Sequence, residues 1–140
     1  MAKAKTADSK PLVTMEAVAD YLRCTGGFAP AAKEVGNRLI TVTAAKTKGI
    51  KVSDEELQKA SDAWRLFNGL FTAKETKNWL KNSGLTIDKY EDFLETNLLI
   101  SKFKQTLAAE AKIRKIYKDL HCQEMATDLL YTDWLAQTLK

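Results

Sequence analysis

Only two prolines, Pro11 and Pro30, a single histidine, His121, and two cysteines, Cys24 and Cys122, occur in the 140 residues. Two cysteines cannot build a disulfide framework. One histidine beside one cysteine, with no further Cys or His close in sequence, falls short of the three or four ligands that a zinc site needs. No apolar run reaches the roughly 18 residues of a transmembrane helix, so no membrane partner is expected. The phosphate-cradling patterns GxxxxGK and GxGxxG are missing, and so are alternating strand-length runs and internal repeats. The opening Met1-Ala2-Lys3-Ala4-Lys5 leads into polar residues rather than an apolar stretch, which speaks against a secretory signal and for a cytoplasmic address.

A catalytic constellation is equally hard to assemble. Cys24 has no base partner in the sequence and reads as a small buried residue, while His121 reads as a structural residue at a helix junction. Glu91, Asp92 and Glu95 read as a solvated helix start, where negative charge is favoured anyway. The expectation is therefore no enzyme, no catalytic residue, no metal and no cofactor.

What the chain does hold is 45% hydrophobic and 29% charged residues, the balance of a globular protein with one core. Its net charge of +4 is unevenly spread. Residues 98–120 carry six basic and two acidic side chains, whereas residues 51–97 and 121–140 are each acidic on balance. Glu110 and Asp119 interrupt the basic run, and stacking aromatics are not interleaved with it, so a nucleic-acid partner is disfavoured.

The pattern is nearly all helical. Residues 1–12 are expected to form a flexible tail and 13–140 a single compact all-α domain of about six helices. Thr14 caps a first helix through Arg23, with Met15, Val18 and Leu22 on one face. A second runs from Pro30 to Lys48 and is expected to bury Val35, Leu39 and Val42 before Gly49 stops it. Ser53 and Thr72 each stand three residues before a glutamate, Glu56 and Glu75, so each can close a reciprocal capping box. Those boxes open helices over 54–68 and 73–82. From Thr86 one apolar face persists through Tyr90, Leu94, Leu98 and Leu107 to Tyr117, predicting one long helix near 87–118 that leans on shorter ones or bends. A last helix from about Cys122 to Leu139, burying Met125, Ala126, Leu129, Leu130 and Trp134, is expected to pack back against the helix over 30–48.

Aromatic residues concentrate around one corner. Trp64, Phe67, Leu70, Phe71 and Trp79 lie on both sides of the turn at Gly69, and Phe93 and Asn97 on the long helix are candidates to complete a groove with them. Such residues ordinarily form core, but a Trp, Phe and Leu lining also makes a peptide groove, and exposure at this corner would mark a binding surface. Lys74 and Lys77 beside it would favour acidic clients.

Taken in order, the segments Ile50-Lys51-Val52-Ser53-Asp54-Glu55-Glu56-Leu57, Phe67-Asn68-Gly69-Leu70-Phe71, Leu85 to Glu95, and Leu98-Leu99-Ile100-Ser101-Lys102-Phe103-Lys104 resemble the helical chaperone module of SurA-type and other parvulin-class peptidyl-prolyl isomerases. The resemblance covers residues 31–118. It implies a helical peptide-binding module onto which a C-terminal helix returns. A parvulin domain would normally follow the long helix, but residues 119–140 hold a helical pattern and one histidine, so isomerase activity is not carried over. The resemblance thus suggests a chaperone-like or escort-like binder with no catalytic domain, whose partner is an unfolded or precursor peptide, or a peptide-modifying enzyme of a peptide-maturation system. The alternative is an obligate accessory subunit that docks on and stabilises a partner enzyme, or homodimerises.

Overall fold

The computed structural model describes residues 13–140, and the expected tail over residues 1–12 lies outside them. Among the described residues all regular structure is helical: α1 (Met15–Thr25), α2 (Phe28–Thr47), α3 (Asp54–Phe67), α4 (Ala73–Ser83), α5 (Ile87–Glu110), α6 (Ile113–Ile116) and α7 (Leu120–Thr138). The chain divides between Gly36 and Asn37, inside α2, into two units.

In the first unit, the Thr14 hydroxyl accepts from the Ala17 amide at 3.0 Å and so satisfies one of the free donors at the start of α1. Pro30 sits in the first turn of α2, where its missing N–H costs nothing. No residue of α1 is buried, and Met15 and Tyr21 are largely exposed.

The second unit is organised along α5, whose 24 residues make it about 36 Å long at 1.5 Å per residue. Its N-terminal half sends Tyr90 and Leu94 into a cluster with Leu80 of α4, bordered by Leu57, Trp64, Trp79 and Leu85. Its C-terminal half sends Leu99 and Phe103 into a second cluster with Ala45 of α2, bordered by Val42, Ile50, Leu107, Tyr131 and Trp134. Because successive stretches of α5 meet different neighbours, no single stripe describes it. Burial of each large side chain here contributes roughly 1.5–3 kcal/mol.

Lys102 ties α5 to the start of α3. Its ammonium donates to the Lys51 carbonyl at 2.7 Å and to the Glu56 carboxylate at 2.8 Å, while Glu56 also accepts from the Ser53 amide at 3.1 Å. The reciprocal capping box expected at Ser53 is present. At Thr72 only the forward half forms, the Glu75 amide donating to the threonine hydroxyl at 3.1 Å.

Three expectations are corrected. The long helix ends at Glu110 rather than near Lys118, because Lys112 takes a left-handed conformation (φ 55°) and α6 turns Ile113 into the interior, a tertiary gain set against the roughly 1–2 kcal/mol that this backbone costs an L-residue. In α2, Val35 and Leu39 are exposed, while Thr41 and Ala45 are buried instead. Thr41 can face inward because the Tyr131 hydroxyl of α7 meets it there, its own proton going to the Asn37 carbonyl one turn back in α2. In α7, Met125 and Leu129 are also exposed, and the inward face comprises Ala126, Thr127, Leu130, Tyr131 and Trp134. α7 does pack back, chiefly along α5, with Tyr131 reaching Thr41 of α2.

Candidate functional site

The α3–α4 corner is built from local chemistry. At the end of α3 the Leu70 amide donates to the Arg65 carbonyl at 2.8 Å and the Gly69 amide to Leu66 at 3.2 Å, a paired C-terminal closure that needs the positive φ of 71° held by Gly69. Three residues later Thr72 caps α4. Turn and cap together leave few degrees of freedom to the five residues Phe67–Phe71.

Inside the corner, Trp64, Trp79 and Tyr90 form a triad of edge-to-face contacts. Ring centroids lie 4.9 Å apart for Trp64–Trp79 and 5.2 Å for Trp64–Tyr90, with interplanar angles of 61° and 66°. Such contacts contribute about 0.5–1.5 kcal/mol each beyond area burial. The Tyr90 hydroxyl is 2.9 Å from that of Ser61, so the polar end of the triad is satisfied. The two tryptophans are thus structural supports of the corner, each partly buried.

Outside the corner the arrangement is different. Phe67 is 91% exposed, Phe71 66% and Leu66 64%, with Leu70 half-buried between them. Phe93 and Asn97 belong to a separate contact: the Arg38 guanidinium donates to the Asn97 side-chain oxygen at 2.8 Å and sits 5.0 Å over the half-exposed Phe93 ring. The depression between α3, α4 and α5, about 440 Å³, is lined by residues that include Leu57, Ser61, Thr76, Leu80 and Tyr90, and by none of the seven residues singled out from the sequence. Leu57, Ser61 and Arg65 follow helical spacing along one side of α3, which is the signal that could have pointed to this groove.

The remaining chemistry-bearing residues stand apart. Cys24, expected to be buried, is exposed, as are His121 and Cys122. The Cys122 thiol is pushed up from its ordinary range by a hydrogen bond to the Asp119 side chain, with smaller contributions from desolvation and the carboxylate charge. No cluster of three His, Cys, Asp or Glu side chains suited to a metal ion occurs among the described residues, and none of their helices is long and apolar enough to cross a membrane. No family model, curated protein or solved structure matches the chain.

Proposed function

We propose that the chain is a noncatalytic, SurA-like peptide- or protein-binding module that holds an extended apolar segment of a client against the α3–α4 corner. The observation that carries this reading is the outward position of Phe67, Phe71 and Leu66 on a corner whose own closure is accomplished by Trp64, Trp79 and Tyr90. Two phenylalanines in water cost free energy that a client's side chains recover at about 25 cal/mol per Å² of apolar surface, less the cost of ordering the client. An unfolded or precursor peptide, or an enzyme that modifies such peptides, is the partner class this surface suits. The test is suppression of aggregation of a chemically denatured reporter protein, monitored by light scattering. Protection that is lost in a Phe67→Ala/Phe71→Ala double variant supports the reading, and protection equal to the wild type sinks it.

A second reading, the accessory subunit or homodimer, is favoured by one specific observation. α1 buries none of its residues, although a helix of 11 residues is marginal by itself in water. A stable dimer in multi-angle light scattering would favour this alternative, and a monodisperse monomer the client binder.

A further inference from the structure

The left-handed turn at Lys112 folds α6 back beneath the end of α5, and two depressions meet there. One, of about 570 Å³, lies against Lys112, Arg114 and Lys115 with Ala108 and Ala109 among its walls. The other, of about 340 Å³, runs between α5 and α7 past Leu120 and Thr127. They share Gln105, Ala108, Ile113 and Arg114, so they adjoin as one trough, in which Ala108, Ala109 and Leu120 stand among polar and charged side chains.

The charges around this trough are unbalanced. Lys112, Arg114 and Lys115 are exposed, and none of them makes an ion pair with a described residue. In the sequence Glu110 and Asp119 interrupt the basic run, but in the structure both are engaged elsewhere. Glu110 accepts from Lys48 at 2.7 Å, and Asp119 accepts from the Cys122 amide at 3.0 Å as the cap of α7. On the α7 wall Asp128 is held by Lys104 at 3.2 Å, which leaves Glu124 as the remaining acidic lining residue. A helix C-terminus attracts cations through its dipole, yet that pull fades within the last turn of α5, and α6, which carries Arg114 and Lys115, is a single turn with little dipole of its own.

We infer that this trough docks an acidic, extended peptide segment, its carboxylates meeting Lys112, Arg114 and Lys115 and its aliphatic side chains lying over Ala108 and Ala109. Concavity favours a peptide over a lipid surface, which is contacted by protruding side chains. Nucleic acid is disfavoured because no aromatic side chain lines the trough on which a base would stack. The partner class agrees with the proposed function, but the surface is different and does not depend on the α3–α4 corner.

The probe is a fluorescein-labelled peptide of alternating glutamate and leucine, with glutamine replacing glutamate in the control, followed by fluorescence anisotropy at low and high ionic strength. The glutamate peptide should bind at least about tenfold more tightly than the control and weaken as salt rises. An Arg114→Glu/Lys115→Glu variant should lose about tenfold or more in affinity with an unchanged thermal melt, since both side chains are exposed. Single Lys115→Gln, a milder change, should give a smaller loss of the same sign. Phe67→Ala/Phe71→Ala should leave this binding intact, which separates failure here from failure of the corner. Equal affinity for both peptides, or unaltered binding by the charge-reversed protein, would overturn the inference. So would charge-dependent binding to phosphatidylglycerol vesicles or to a single-stranded oligonucleotide without binding of the acidic peptide.

Discussion

The Tyr131 hydroxyl lies 2.7 Å from that of Thr41, a contact between side chains 90 residues apart that fastens α7 to α2. Thr41 is wholly buried and its hydroxyl already donates to the Asn37 carbonyl at 2.7 Å. A hydroxyl has one proton to give, so Tyr131 is the donor and Thr41 the acceptor.

From this arrangement Tyr131→Phe is expected to cost about 1 kcal/mol, the net worth of a neutral hydrogen bond. The ring remains in place, stacked on Trp134 at 6.1 Å. Urea denaturation checks the value. Tyr131→Leu should cost more because the stacking is lost as well, and if the two variants prove equally stable, the ring contributes nothing.

Phe71→Ala is expected to shift the melting temperature by no more than a few degrees, because two-thirds of the side chain is already in water. Client affinity, measured by titration with an unfolded reporter, should fall by roughly 2 kcal/mol, as for an anchor residue. A loss of stability of about 3–5 kcal/mol would instead identify Phe71 as core.

Acid should weaken the α3–α5 connection. The Lys102 ammonium, with the Ser53 amide, holds the Glu56 carboxyl down at about 2 against an ordinary 4.5. A carboxyl held low in the folded state stabilises it above the unfolded value, and that contribution vanishes as pH falls through the folded value. The stability difference between the wild type and Glu56→Gln should therefore be full at neutral pH, shrink below 4.5 and disappear near 2. A difference that stays constant across this window would show that Glu56 acts without its charge.

Cys122 should react sluggishly with iodoacetamide at mildly alkaline pH despite its exposure, because the Asp119 side chain keeps its thiol protonated. Asp119→Ser retains one capping oxygen for α7 but removes the second acceptor oxygen together with the charge, so alkylation of Cys122 should accelerate while helicity by circular dichroism is preserved. Unchanged alkylation kinetics would mean that the carboxylate has no hold on the thiol.

Features governed by neighbours in the chain were legible without the structure. Ser53 with Glu56, Thr72, Thr86 and Gly69 act within a few residues of themselves, and the helices they start or stop lie where the sequence predicts. Which face turns inward was less legible, because it depends on partners far away. Thr41 is polar yet buried on account of Tyr131, whereas Leu39 and Leu129 are apolar yet exposed. No glycine or proline marks the break after α5, since Lys112 is held left-handed by the burial of Ile113 rather than by its own preference. At the corner, composition located an aromatic concentration but did not distinguish the inward Trp64 and Trp79 from the outward Phe67 and Phe71. That distinction depends on where Tyr90 of α5 docks.

The exposed stretch Tyr117–Lys118–Asp119 between α6 and α7 has a topological consequence. α6 is anchored by Ile113, α7 has its own cap at Asp119 and its own contacts along α5, and the two helices also touch directly, so each side is seated by contacts other than the link between them. Lengthening that link after Lys118 disturbs little beyond the bond from the Gln123 amide group to the Tyr117 carbonyl. Each doubling of such a loop costs only about 0.6 kcal/mol of closure entropy. The chain can therefore be interrupted here by foreign sequence, even by a whole folded domain, with its helices still meeting as they do now.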